Sequence, residues 1–133
     1  MVESTLLERA VKLHGHLGPF LVLGLRMALK ADEVLGRLKD CKMWVVQKKP
    51  HLCAVDGVRT IVGEVDVDAG DGIAAEFQDR VGNKLYIEIL DEVIRRYEGV
   101  SWEECEEKAH EVLGSKDEEL FKIKRVVRAP HLL

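Results

Sequence analysis

Apolar residues along this chain recur at helical intervals, then at alternating ones, then at helical intervals again. Leu6, Leu7, Ala10, Val11 and Leu13 share one side of a first helix, and Thr5 with Glu8 has the spacing of a capping box at its start. His14-Gly15 should close that helix, since glycine tolerates the left-handed conformation found at helix C-termini. Pro19 disfavours helical geometry at Gly18 and suits a first helical position, so a second helix is predicted from Pro19 to Leu38. Its apolar residues occupy nearly every face as far as Leu29, which predicts deep burial, and Gly24 predicts a close packing contact.

The period then changes. Lys42 to Gln47 contains a short apolar run of strand type, ended by Lys48-Lys49-Pro50. Cys53 to Val62 reads as a third helix with Val55, Val58, Ile61 and Val62 inward, and Asp66 to Gly72 reads as a turn-rich acidic loop. Ile73 to Gln78 and Lys84 to Ile89 are predicted strands of a hairpin turning at Arg80-Val81-Gly82-Asn83. Asp91 to Tyr97 is a short helix closed by Gly99, and Ser101 to Glu104 has capping-box spacing for another. That helix would place Trp102, Cys105, Ala109, Val112 and Leu113 on one inward stripe. Phe121 to Val126 alternates as a half-buried strand should, with Pro130 ending it. Helices and strands come in blocks without a repeated βαβ rhythm, which is the pattern of an α+β protein. The expectation is one domain over residues 1–133, with the N-terminal helices packed on a small antiparallel sheet.

Composition narrows the functional classes. A net charge of −4 with acids and bases interspersed argues against a nucleic-acid partner, and the longest apolar stretch, Leu17 to Leu25, is too short to cross a membrane. Three widely spaced cysteines form neither a disulfide framework nor a C-x-x-C zinc motif, so a cytoplasmic location is expected. One Asn and two Gln against twenty Lys and Arg and twenty-four Asp and Glu is the balance expected of a thermophile's protein. The apolar faces of the second helix exceed what one small sheet covers, which predicts a homodimer.

Two segments carry candidate chemistry. In His14-Gly15-His16-Leu17-Gly18-Pro19, two imidazoles flank a glycine between helices, and imidazole is both the commonest metal ligand and the side chain that titrates nearest neutral pH. The plainer alternative is a histidine-bearing turn. In Cys53-Ala54-Val55-Asp56-Gly57, a thiol at a helix start would feel the positive end of the dipole, which favours thiolate, and Asp56 lies three residues on. The plainer alternative there is a buried cysteine and a first-turn aspartate. Both segments precede apolar helices that must pack inward, so His14, His16 and Cys53 are expected to converge on a divalent metal such as zinc, with Asp56 as an orienting group or weak ligand and Cys53 and Asp56 as the catalytic residues. His51 is either a further ligand or a solvated loop residue. Cys41 and Cys105 read as structural, Arg59 as the ion-pair partner of Asp56, and His110 and His131 as surface or tail residues. The acidic run Asp66 to Asp71 lacks the ligand spacing of a calcium loop.

His14-Gly15-His16-Leu17-Gly18-Pro19 followed by Leu23-Gly24-Leu25-Arg26-Met27 resembles the opening of the FmdE-like family, named after a component of formylmethanofuran dehydrogenase. Cys53-Ala54-Val55-Asp56-Gly57-Val58 with Ile61-Val62-Gly63 resembles that family's second motif, and Glu119-Leu120-Phe121-Lys122-Ile123 the close of its core domain. The resemblance implies an α+β core without the zinc-ribbon tail of some relatives, usually dimeric, with a metal or active site at the His-x-His and Cys residues. It implies a role in one-carbon redox metabolism, alone or beside other dehydrogenase subunits. The chain departs from the family pattern at Gly18 and Phe20, where cysteine and glycine are usual, and at Gly63-Glu64-Val65 with the acidic segment beyond, where a Gly-Cys-Thr turn is usual. Those departures keep a second expectation open, a non-catalytic binding or scaffold module.

Overall fold

The computed structural model describes residues 2–129. Helix α1 (Ser4–His14) ends on Gly15, whose φ of 116° is the left-handed cap expected, with its N–H donating to the Val11 carbonyl at 2.7 Å. No side-chain cap forms at the other end, because Glu3 takes the cap position two residues before the expected Thr5. Helix α2 (Pro19–Leu35) begins at Pro19 as predicted but stops at Gly36, before the expected Leu38. Strand β1 (Leu38–Val45) therefore starts four residues before Lys42. Helix α3 (Cys53–Val62) has the expected bounds.

Strands β2 (Asp66–Ala69), β3 (Ile73–Asp79) and β4 (Lys84–Ile89) follow, then α4 (Asp91–Tyr97), a 3-10 turn (Trp102–Glu104), α5 (Cys105–Gly114), α6 (Asp117–Leu120) and β5 (Phe121–Val127). The sheet order is β2-β1-β3-β4-β5. The architecture is α+β, but the sheet is mixed and not antiparallel throughout. β2 pairs parallel to β1, with Lys42 opposite Asp66 and Trp44 opposite Asp68. The chain leaves β1, crosses through α3 and re-enters in the same direction, as a helical crossover requires. Two acids of the predicted loop thus become strand residues, with Lys42 Nζ 2.9 Å from Asp68.

Helices cover one face of the sheet. Phe20, Val22, Leu23 and Met27 of α2 pack with Met43, Val45, Phe77, Leu85 and Ile87 of the strands in one core. A smaller cluster of Ala10, Leu21 and Leu25, joined by Leu6, Leu7 and Ile61, unites α1, α2 and α3. Ten residues of α2 are buried by the chain itself, which removes the ground on which a dimer was expected. The crossing of α2 on α3 is as close as backbones allow. A Cβ at Gly24 would overlap the Ala54 carbonyl oxygen, and one at Gly57 the Leu21 carbonyl oxygen.

The last third departs from the predicted pattern in two places. Trp102 is 71% exposed instead of lying on an inner stripe, because α5 begins only at Cys105. In β5 only Phe121 is buried; Ile123, Val126 and Val127 are exposed, since α2 lies over β1, β3 and β4 and β5 is the uncovered edge. Arg26 of α2 ties this region down, donating to the carbonyls of Val112 at 2.8 Å and Leu113 at 3.3 Å and to Asp117 at 2.8 Å. Pro130 and His131, expected to end the last strand and to lie in a tail, fall outside the described residues. Among the described residues, no helix is long and apolar enough to cross a membrane.

Candidate functional site

Three helix ends meet where the two motifs come together. α1 delivers His14 at its C-terminus, the turn before α2 delivers His16, and α3 opens on Cys53. The Gly24–Gly57 crossing fixes the start of α3 against α2, and the Arg9 guanidinium, bonded to the Thr60 carbonyl at 3.1 Å, holds α1 alongside. His14 and Cys53 line two hollows. The narrow one, about 40 Å³, also contacts His16, Gly18, Tyr97 and Cys105. The wider one, about 450 Å³, contacts Lys49, Asp56 and Arg59.

Asp56 Oδ2 lies 2.7 Å from His14 Nδ1, and Asp56 Oδ1 accepts from Arg59 at 3.2 Å, the ion pair expected from their spacing. A carboxylate accepts only, so Nδ1 of His14 carries the proton in that bond. The His16 ring packs between His14 and Trp102, with centroids 5.0 Å and 4.6 Å away. Burial foremost, then His14 and the Lys49 ammonium, hold the His16 pKa below its ordinary value.

Cys53 departs from expectation. Burial pushes its thiol pKa up despite the helix start, with Asp56 and Cys105 adding to the rise and Lys49 opposing it. The site therefore holds a protonated thiol beside a carboxylate-oriented imidazole. That pairing can bind a polar ligand and move a proton. Activation of the thiol requires removal of its proton, and His14 lines the same two hollows as Cys53.

The donor set does not make a ready metal centre. Among the described residues no group of three or more His, Cys, Asp or Glu is placed to hold a metal ion. Asp56 engages Nδ1 of His14 and leaves Nε2 as its free donor, and the His16 ring lies tilted against those of His14 and Trp102.

Two members of the site were not legible as such. Cys105, expected in core packing, lines the narrow hollow, and a Cβ at Gly18 would sit 3.9 Å from its Sγ and 3.5 Å from His16 Nε2. Burial, then Glu103, raise its pKa. Trp102, expected on the same stripe, lies on His16 instead. The one signal in the sequence is that both stand at the first turn of a helix, where a stripe no longer faces the core. Cys41, by contrast, is structural as expected: it is buried in β1, with its pKa pushed up to about 12 by burial and by Glu76. His110 is exposed and His51 is buried; neither lines the hollows, although the His51 ring packs on Phe20 of the narrow one.

The fold and the pocket define an α+β protein with a histidine–cysteine cluster at the meeting of three helix ends. Residues 13–65 match the FmdE family, described as "FmdE, Molybdenum formylmethanofuran dehydrogenase operon", and this segment of the chain is FmdE-like. The match spans His14, His16, Cys53 and Asp56 and ends before Trp102, Cys105 and the closing motif at Glu119. No curated protein matches the chain.

Proposed function

We propose that this chain is an accessory protein of formylmethanofuran dehydrogenase-type one-carbon redox metabolism, working beside other dehydrogenase subunits through its histidine–cysteine pocket. The observation that carries the reading is a coincidence of place. The family match falls on the residues that the α2–α3 crossing gathers, and among them Asp56 holds His14 at 2.7 Å beside Cys53. In this reading His14 is the proton-accepting group, Asp56 positions it, and Cys53 contacts the ligand.

The test is co-elution with the catalytic subunits of such a dehydrogenase, followed by assay of the complex carrying His14→Ala or Cys53→Ala. Co-elution of all forms, with lost activity in the two variants, is expected. Absence of association overturns the reading. Association with full activity in both variants favours the scaffold alternative, which the protonated state of Cys53 also supports. Zinc would use Nε2 of His14, the nitrogen that the bond to Asp56 leaves free. Equal metal content in the wild type, Cys53→Ala and His16→Ala would remove zinc from the proposal.

A further inference from the structure

The wider of the two hollows beside Cys53, about 450 Å³, has room for a ligand of several carbon atoms, and its wall says what charge that ligand carries. Lys49 and Arg59 line it, against Asp56 as its one carboxylate. Both oxygens of Asp56 are already engaged, Oδ2 with His14 at 2.7 Å and Oδ1 with Arg59 Nη1 at 3.2 Å. The rest of the Arg59 guanidinium has no partner among the described residues. The Lys49 ammonium makes no ion pair or side-chain hydrogen bond among them, and its field reaches both His16 and Cys53.

The hollow thus keeps one positive charge in surplus, within a chain whose net charge is −4. The large cavity between the sheet ends and α4 has the opposite balance, with Asp71, Glu88, Asp91 and Glu98 against Lys48 and Arg95. Two cations that face one space repel each other, and an anion between them relieves both. A guanidinium offers a planar fork that suits a carboxylate, and a surplus of one charge matches a monoanion. A dianionic phosphate would leave the hollow negative. Leu52, Val55 and Val67 add an apolar stretch of wall.

We propose that the wide hollow binds a small carboxylate, its anionic end between Lys49 and Arg59 and its carbon chain against the apolar wall, next to the Cys53 thiol. This rests on the reading in which Cys53 contacts the ligand, and it names the class of that ligand.

Iodoacetate and iodoacetamide test it, because they share shape and leaving group and differ in charge. Both react by one step: the thiolate sulfur bonds to the methylene carbon, iodide leaves with its electron pair, and the thiol proton goes to solvent. The ratio of the two rates at one cysteine cancels that thiol's own ionisation and keeps the charge preference of its surroundings. Mass spectrometry of the peptides holding Cys53 and Cys105 reads both rates on the intact protein, and Cys105, beside Glu103, is the internal control. The iodoacetate-to-iodoacetamide ratio at Cys53 should exceed that at Cys105 about fivefold or more at low salt. Lys49 is exposed, so Lys49→Gln should leave the fold intact and remove most of that difference. Acetate at about 50 mM should slow iodoacetamide at Cys53, and neither acetamide nor phosphate of equal ionic strength should do so.

A ratio at Cys53 no higher than at Cys105, or one unaltered by Lys49→Gln, would overturn the proposal. So would a Cys53 inert to both reagents, no protection by acetate, or protection by phosphate as strong as by acetate. The ratio is read on the isolated chain, whereas the accessory role is tested by co-elution with dehydrogenase subunits, so the failure of one is distinguishable from the failure of the other.

Discussion

The crossing of α2 on α3 and the outer strand β5 are held by opposite means. At the crossing, Gly24 and Gly57 let two backbones touch, and Leu21, Leu23 and Val58 around them are fully buried. At β5, one neighbour supplies all the sheet pairing, and Ile123, Val126 and Val127 remain 39–42% exposed. The histidine–cysteine pocket hangs on the first region, whose packing density leaves no room for relaxation. Stability and site geometry should thus respond together there, and hardly at all at the edge.

The sharpest way to break this contrast is Gly24→Ala. The new methyl meets the Ala54 backbone and not a side chain that can swing away, so the loss should reach about 3 kcal/mol in chemical denaturation. Reactivity of Cys53 toward iodoacetamide should change with it, because Ala54 adjoins that cysteine. A loss below about 1 kcal/mol would mean the helices slide apart freely.

Arg26→Met comes next. The guanidinium satisfies two last-turn carbonyls of α5 and pairs with Asp117, so its removal should destabilise by about 2 kcal/mol. Because α5 carries Cys105, that thiol should become more reactive while Cys53 stays as it was. The same clamp sets an acid limb. Burial raises the Asp117 pKa, but Arg26 and Lys30 outweigh it and hold the carboxyl below its ordinary 3.8. A carboxyl lowered by folding stabilises fully above its unfolded value and loses that contribution as pH falls through the folded one. Denaturation midpoints measured downward from pH 5 should therefore fall less steeply for Arg26→Met than for the wild type.

How much was legible follows from how local each feature is. The left-handed Gly15, the start of α2 at Pro19, the bounds of α3 and the turn between β3 and β4 rest on neighbouring residues. That turn is held by Asp79, which accepts from the Val81 and Asn83 N–H groups at 3.0 and 2.9 Å. The parallel seat of β2 was hidden because Asp66 and Asp68 look like loop acids until Lys42 is placed opposite them. At the site, types and spacing of residues single out His14, His16, Cys53 and Asp56, and the fold does gather them. The protonation of Cys53 runs against its sequence context, since a helix start favours thiolate only when burial does not outweigh it. Cys105 and Trp102 reach the pocket through α2–α5 contacts such as Arg26 to Val112, 86 residues apart in sequence and beyond any local periodicity.

Asp56→Asn tests the pocket itself at a smaller scale. It weakens the bond to His14 and removes half of a partly exposed ion pair with Arg59, so about 1 kcal/mol of stability should go. Asp56 is also one of the charges raising the Cys53 pKa, behind burial. Its neutralisation should make Cys53 alkylate faster at fixed neutral pH, read by mass spectrometry of the peptide that holds it. Slower alkylation would show that Asp56 helps to activate the thiol through His14 rather than suppressing it.

The smallest effect belongs to β5. Ile123→Thr exchanges a half-exposed branched side chain opposite Ile87 for a polar one of similar shape and strand preference. Ile123 lies beyond the cover of α2, so little apolar area returns to water, and the change should stay within about 0.5 kcal/mol. Alkylation rates at Cys53 and Cys105 should not move. A loss of about 2 kcal/mol or more would mean that Ile123 is covered in solution by something that packs on the β4–β5 edge. A concentration-dependent midpoint would then identify that cover as a second copy of the chain, because a partner that binds only the folded state stabilises by mass action.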